Sequence, residues 1–325
     1  MRNSKFNQTT GLKAFATTIG LLASVTSFTG AQAQEIVQIG LATQSWFPSI
    51  VAEAAQRQGF FEKEGIAAEL TVYQSGAEAF TALAADAADV ISSSPNIIAR
   101  GRLSGVDAQM VAELGAGNYG WQLMVPEGSD IDDVSELAGK NVGITSAGSL
   151  SDMLARWTME TSDVEFTAVP LGQGLVPNLI SGNVDAVVLY SPLSYQVALD
   201  GDGKTLLDYG TAMPEHLNSG WAASDSFIED DAEVLRKVVQ ALSAGTAYLQ
   251  ENRAEAISLI AEINNVSETV AEQEYENVFL KLSATGEMDV AGTEAALDIY
   301  RIGGMTEAPP AEDLFTNEMV TTTQE

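Results

Sequence analysis

The chain has 325 residues, which is enough for two domains or for one large two-lobed unit with a substantial hydrophobic core. It carries 15 Lys and Arg against 45 Asp and Glu, and this net charge of −30 argues against nucleic acid or an anionic membrane surface as a partner. The absence of Cys and the presence of a single His exclude disulfides, thiolate nucleophiles and metal sites built from Cys or from several His residues.

The first 33 residues have the composition of a secretory signal peptide. Three basic residues precede a short apolar run, and an A-x-A site follows at residues 31–33. The run is shorter than the roughly 20 residues of a membrane-spanning helix. We therefore expect cleavage after Ala33 and export of the mature chain to the periplasm, with an uncleaved anchor as the alternative.

Strand-like apolar runs alternate with helical patterns through the first two thirds of the mature chain. The first unit has strands at 36–42, 68–73 and 88–91 and helices at 48–57, 77–85 and 96–103. Two more strands follow at 109–114 and 121–125. The second unit has strands at 141–145, 164–169 and 184–190 and helices at 150–159, 174–181 and 193–199. The alternation predicts two α/β units in tandem, each a parallel sheet covered by helices.

The last third has a helical pattern almost throughout. One face of a long helix is predicted to carry Val234, Leu235, Val238, Val239, Leu242 and Leu249. Further helices are predicted at 254–263, 270–282 and 293–302. The tail from Thr306 is predicted to be a loosely held strap, and His216 a surface loop residue.

Two motifs resemble known sites but lack the required context. Residues 115–120 match G-x-G-x-x-G, yet a predicted strand follows where a phosphate site needs a helix N-terminus. We interpret them as a flexible crossing between lobes. Residues 200–204 imitate the start of a calcium loop, but Thr211 stands at the twelfth position, where a Glu is required, so we predict a turn.

Small and aromatic residues gather where predicted strands meet helices. The carboxyl ends of strands in an open α/β sheet face the ligand crevice, and helix N-termini there offer free N–H groups. Taken alone, each serine is better explained as a helix N-cap and each aromatic as a core residue. The small residues are Ser45, Ser75, Gly76, Ser93, Ser94, Ser146 and Ser149, and the aromatic residues are Trp46, Phe47, Tyr119, Trp121, Tyr190 and Trp221. Their number favours a shared cleft that encloses an organic group.

Five segments in a consistent order carry a family resemblance. They are 58–65 (QGFFEKEG), 73–78 (YQSGAE), 88–95 (ADVISSSP), 134–143 (VSELAGKNVG) and 182–188 (GNVDAVV). With them, the chain from about residue 36 to about 303 resembles the periplasmic solute-binding proteins of ABC importers for nitrate, sulfonates, taurine and thiamine-precursor pyrimidines.

The resemblance implies a type II-like periplasmic-binding-protein fold, with two α/β lobes and a ligand cleft between them. We place lobe one at 34–120 plus 221–325 and lobe two at 121–220. Carried over position by position, the family's ligand contacts fall on Ser45, Trp46, Ser75, Ser93, Ser146, Ser149 and Tyr190; Trp121 and Trp221 are added from their placement alone. None of these loops contains Lys or Arg.

The implied function is a non-catalytic receptor that captures a heteroaromatic, aromatic carboxylate or sulfonate-like solute. It would act as a monomer without metal or cofactor, and deliver its solute to the permease and ATPase subunits of the inner membrane. One alternative is an enzyme on the same scaffold, a pyrimidine-precursor synthase or a desulfinase-like protein. Another is a periplasmic sensor subunit.

Overall fold

The computed structural model describes residues 34–320. The predicted signal peptide lies outside the described residues. No helix between residues 34 and 320 is both long and apolar enough to cross a membrane.

Ten strands of the described region form two five-stranded sheets. The first sheet has the order β2-β1-β3-β10-β4, and the second has the order β7-β6-β8-β5-β9. The strands are β1 (Glu35–Leu41), β2 (Ile66–Val72), β3 (Val90–Ser93), β4 (Ala108–Gly115), β5 (Gln122–Pro126), β6 (Asn141–Ile144), β7 (Thr167–Pro170), β8 (Ala186–Leu189), β9 (Gly203–Asp208) and β10 (Ser219–Ser224).

Helices flank both sheets. They are α1 (Phe47–Arg57), α2 (Phe60–Lys63), α3 (Gly76–Ala84), α4 (Pro95–Leu103), α5 (Leu150–Ser162), α6 (Leu175–Ile180), α7 (Leu193–Asp200), α8 (Tyr209–Ala212), α9 (Asp225–Asp230), α10 (Ala232–Glu251), α11 (Arg253–Asn264), α12 (Glu268–Asn277) and α13 (Val290–Ile302). The predicted two-lobed α/β fold is thereby confirmed. We call the part built on the first sheet lobe one and the part built on the second sheet lobe two.

The sheets are mixed, and the prediction of purely parallel sheets is wrong. β5 runs antiparallel to β8 and β9, and β10 runs antiparallel to β3 and β4. These two strands are the ones that enter a sheet from the other lobe. A strand that enters from the crossing starts at the cleft edge and runs away from it, whereas β1, β3, β6 and β8 run toward that edge.

The two crossings between the sheets lie side by side. The chain leaves the first sheet through residues 116–121 and returns through 213–218. The backbone N–H of His216 donates to the Ala116 carbonyl at 3.1 Å, and that of Asn218 donates to the Gly115 carbonyl at 3.0 Å. His216 is consequently 1% exposed, so the prediction of a surface position is wrong. Its Nδ1 lies 2.7 Å from the Pro214 carbonyl oxygen, and burial lowers the pKa of its imidazole.

The long helix α10 presents the predicted apolar face to the core. Leu235, Val238, Val239, Leu242 and Leu249 are buried, while Val234 is half-buried. α10 packs against α1 so closely that a Cβ added at Gly245 would stand 2.8 Å from the Val51 carbonyl oxygen.

The tail between Thr306 and Val320 is docked on the core through buried side chains, contrary to prediction. Leu314 and Met319 are fully buried, and Phe315 forms a parallel bridge with Met110 of β4. β4 lies at the edge of its sheet, so its unpaired backbone groups are available to the tail. Other elements also differ from prediction. β9 was not predicted, Trp221 lies within β10 instead of after a strand, and the helix predicted at 270–282 ends at Asn277 before a 3₁₀ turn at Phe279–Lys281.

Candidate functional site: a cleft between two sheets

A cavity of about 30 Å³ lies where the two sheets face each other. Lobe one contributes seven residues from the ends of β1 and β3 and from the starts of α3 and α4. Lobe two contributes five residues from the start of β5, the ends of β6 and β8, and the first turn of α5. The lining consists of Ala42, Thr43, Trp46, Gly76, Ser93, Ser94, Ile97, Trp121, Thr145, Ser149, Leu150 and Tyr190.

Strand direction brings these residues together. β1, β3, β6 and β8 all end at the cleft, so the residues that follow them meet there. β5 begins at the cleft, so the residue before it, Trp121, lies there too. The carboxyl ends of strands are the common place for ligands in open α/β sheets.

Seven of the residues predicted from sequence line this cavity: Trp46, Gly76, Ser93, Ser94, Trp121, Ser149 and Tyr190. Four others are their neighbours in the chain or in space. Ser45 is half-buried beside Trp46, Phe47 packs edge-on against Trp46 at 5.3 Å, and Ser75 and Ser146 bond to each other.

Tyr119 and Trp221 do not line the cavity. The hydroxyl of Tyr119 donates to Glu215 Oε1 at 3.0 Å, and the Lys281 ammonium lies 4.2 Å from its ring centroid. Trp221 is 1% exposed in the middle of β10, where it pairs with Ser92 and Ala112.

Five lining residues are not among the ligand contacts predicted from sequence: Ala42, Thr43, Ile97, Thr145 and Leu150. Thr43 and Thr145 come just after β1 and β6, the same type of junction that identified the serines. Ile97 and Leu150 are apolar residues in the first turns of α4 and α5. A search of the junctions for every residue type would have found all five.

Most of the cavity hydroxyls have partners within the protein. Thr145 Oγ1 donates to Ser149 Oγ at 2.9 Å, and Ser149 Oγ lies 2.7 Å from the Ser146 carbonyl oxygen. Ser94 Oγ donates to the Asn96 amide oxygen, and Tyr190 is hydrogen-bonded to the Thr43 side chain. Burial raises the pKa of Tyr190, so its phenol stays neutral at ordinary pH.

Hydrogen bonds join the two lobes around the cavity. Ser146 Oγ donates to Ser75 Oγ at 2.9 Å, and Gln173 Nε2 donates to the Tyr73 carbonyl oxygen at 3.2 Å. Asn96 Nδ2 lies 3.5 Å from the Gly148 carbonyl oxygen. The lobes are therefore in direct contact, and the structure is a closed one.

The cavity is aromatic and uncharged. The rings of Trp121 and Tyr190 lie 5.2 Å apart between centroids, tilted by 48°. None of the described residues that line it carries a charge. Within residues 34–320, no group of three or more His, Asp or Glu side chains is arranged to hold a metal ion. The cavity walls therefore offer only neutral polar groups, apolar side chains and aromatic surface.

Comparisons with known proteins agree with this architecture. At residues 48–256 the chain matches the family described as NMT1/THI5 like. A protein of Bacillus subtilis (strain 168), whose name describes it as an aliphatic sulfonates-binding protein, is 25% identical to this chain. The alignment covers 74% of this chain and 73% of that protein.

Solved structures share the fold. The alkanesulfonate-binding protein of Xanthomonas axonopodis pv. citri, bound to MOPS, superposes with a TM-score of 0.74 at 16% identity, covering 88% of this chain and 99% of that one. The periplasmic aliphatic sulphonate binding protein of Escherichia coli superposes with a TM-score of 0.69 at 18% identity, covering 90% of this chain and 94% of that one.

The fold is thus that of the two-lobed periplasmic binding proteins. The chain belongs to the NMT1/THI5-like family, as its sequence resemblance predicted, and its relatives include a protein named for binding aliphatic sulfonates.

Proposed function

We propose that the protein is a non-catalytic solute receptor of an ABC import system. It captures a small organic solute between its lobes and delivers it to the permease and ATPase subunits of the inner membrane. The main support is that both sheets line one cavity, so that a solute held there contacts both lobes and favours their closed arrangement.

The solute is a heteroaromatic compound, an aromatic carboxylate or a sulfonate-like compound. Trp46, Trp121 and Tyr190 offer aromatic surface, and the remaining lining is small, apolar or hydroxylated. The names of the relatives support the sulfonate-like class. A cavity of about 30 Å³ holds only one or two water molecules, so a solute enters when the lobes separate.

The composition supports binding without turnover. The sequence contains no Cys, and the lining contains no Lys, His or acid, so the cavity offers its hydroxyl groups no basic side chain that could activate one of them as a nucleophile. The proposal also includes a monomeric state and a periplasmic location, reached after the signal peptide is cleaved after Ala33.

Native mass spectrometry of the protein purified from its own host tests the proposal. We expect a bound compound that is released unchanged on denaturation. Adding the compound back at about 100 times its Kd should stabilise the fold by about 2.7 kcal/mol. Its removal should increase the radius of gyration in small-angle X-ray scattering.

A variant pair makes the test specific to the cavity. A Cβ at Gly76 would lie 2.8 Å from Ile97 Cδ1, so Gly76→Leu places a side chain against the cavity wall and should abolish binding. Gly128 lies in an exposed turn with no atom within 4 Å of its Cβ position, so Gly128→Leu is the matched control. Equal affinity of both variants, or chemical conversion of the compound, would contradict the receptor function.

A further inference from the structure

Two tryptophans that line the cavity each carry a buried hydrogen-bond donor without an acceptor. Trp46 and Trp121 are 6% and 5% exposed, and both line the cavity. Neither indole Nε1–H has a hydrogen-bond partner among residues 34–320. Buried polar groups are normally paired, so two unpaired donors on residues that line one cavity call for an explanation.

The cavity hydroxyls do not share this property. Thr145, Ser149, Ser94 and Tyr190 each have a side-chain or backbone partner inside the protein. The predicted serine contacts are thus largely satisfied within the closed protein. The indoles are the donors that remain available.

The chemistry of an indole restricts what can pair with it. Its N–H only donates, so its partner must be an acceptor and cannot be an ammonium or guanidinium group. The described lining contains no carboxylate that could attract a cation. An acceptor on a solute is therefore the group that fits.

Resting on the proposed receptor function, we propose that the solute carries an acceptor head group held jointly by the indole N–H groups of Trp46 and Trp121. Carboxylate and sulfonate oxygens, which offer several lone pairs on one group, suit this arrangement. Recognition depends on neutral donors and not on a basic side chain.

The placement of the two donors links recognition to closure. Trp46 follows β1 of lobe one, and Trp121 precedes β5 of lobe two. A head group that accepts from both binds the closed form more tightly than the open form and shifts the population toward it. A single donor would give affinity without this effect.

The test uses the four tryptophans of the chain as probes. Trp157 and Trp221 do not line the cavity, so they serve as internal references. The protein is labelled with ¹⁵N at the indole nitrogens, and each resonance is assigned with its Trp→Phe variant. Benzenesulfonate and benzoate are the acceptor probes, and benzylammonium is the matched cation. We expect downfield shifts of the Trp46 and Trp121 indole protons with the two anions, and unchanged Trp157 and Trp221 signals.

Affinity measurements give a second readout. Trp121→Phe should weaken binding of the anionic probe by about 10- to 100-fold, the loss expected for a hydrogen bond to a charged acceptor. Trp157→Phe, at a ring that packs edge-on against Tyr209 and does not line the cavity, should change it by less than about twofold. Arg100 Nη1 lies 4.0 Å from the Cβ position of Gly148, and Arg100→Gln should likewise leave affinity nearly unchanged.

Several results would overturn the inference. These are an anionic probe that stabilises the protein without moving either cavity indole, benzylammonium binding as tightly as the anions, or loss of binding in Arg100→Gln alone. Each of these leaves the receptor function standing. No solute in the native mass spectrum together with no stabilisation by any probe would remove both proposals.

Discussion

Glu274 is a carboxyl group buried between α12 and lobe two. It is 1% exposed, and both carboxyl oxygens are buried. It faces Ser191 and Tyr195 of lobe two, and Asp208 is a further acid near Tyr195. Burial raises the pKa of Glu274 to about 8, and the Ser191 hydroxyl acts against this rise. The folded protein therefore keeps this group protonated at neutral pH.

This pKa predicts how stability depends on pH. Between its ordinary pKa near 4.5 and about 8, Glu274 keeps a proton in the folded state that the unfolded chain has released. The stabilisation present below pH 4.5 is lost as pH rises through about 8. Glu274→Gln removes this dependence, so its advantage over wild type should grow from pH 5 to pH 9, on the order of 3–5 kcal/mol.

Urea unfolding at several pH values measures that difference. Burial raises the pKa of Glu113 to about 7. Glu113 titrates in both proteins, so its contribution to the pH dependence cancels when the two are compared. Glu276→Gln, on the exposed side of the same helix, is the control and should differ little across the range. A constant difference between Glu274→Gln and wild type would show that Glu274 is ionised in the folded state.

At the scale of elements, the contact between α1 and α10 depends on a missing side chain. Gly245 lies in the buried face of α10, and its Cβ position is 2.8 Å from the Val51 carbonyl oxygen and 3.1 Å from Ala55 Cβ. The backbone of α1 cannot move without disturbing the first-sheet core. Glycine is therefore kept here despite its poor helix propensity.

Gly245→Ala should destabilise the protein by about 1–3 kcal/mol, because overpacking outweighs the gain of roughly 1 kcal/mol in helix propensity. Chemical denaturation measures the change. Gly128→Ala, in an exposed turn with open space around it, should change stability by less than about 0.5 kcal/mol. A stabilised Gly245→Ala would mean that the two helices are less closely packed.

At the scale of the whole molecule, acidic side chains far outnumber basic ones. The ion pairs of the described residues are mostly between exposed groups, such as Arg253 with Glu272 and Glu276. Such pairs contribute little, and the 45 acidic residues outnumber the 15 Lys and Arg residues three to one. The net charge of −30 therefore opposes the compact state through repulsion.

Screening should relieve this repulsion. We expect the thermal midpoint to rise as NaCl increases from about 10 mM to 200 mM, while the Debye length falls from roughly 30 Å to below 10 Å. Sodium perchlorate at the same low concentrations should give the same rise, because screening depends on ionic strength. A midpoint that does not move with either salt would show that the acids are spaced too widely to repel.

The C-terminal helices connect the lobes. α13 packs against both α4 of lobe one and α5 of lobe two, and α12 packs against α7 of lobe two. Separation of the lobes therefore has to change these contacts as well as the hydrogen bonds around the cavity. The predicted boundary, with all of residues 221–325 in lobe one, stays a prediction.

The sequence alone determined the alternation of strands and helices, the family, and much of the cleft. Local patterns carry this information, because burial period and helix starts depend on neighbouring residues. The strands predicted at 88–91 and 184–190, each followed by a predicted helix, placed Ser93, Ser94 and Tyr190 at strand-to-helix junctions, and all three line the cavity.

Only the tertiary structure decided the direction of β5 and β10, the burial of His216 and the docking of the tail on β4. Each depends on backbone pairing between segments far apart in the chain, which no local pattern records. The tertiary structure also decided which cavity donors are paired. Serines and tryptophans looked alike as candidates, but nearby groups of the folded chain satisfy the hydroxyls of Ser94, Thr145 and Ser149, whereas the indoles of Trp46 and Trp121 stay unpaired.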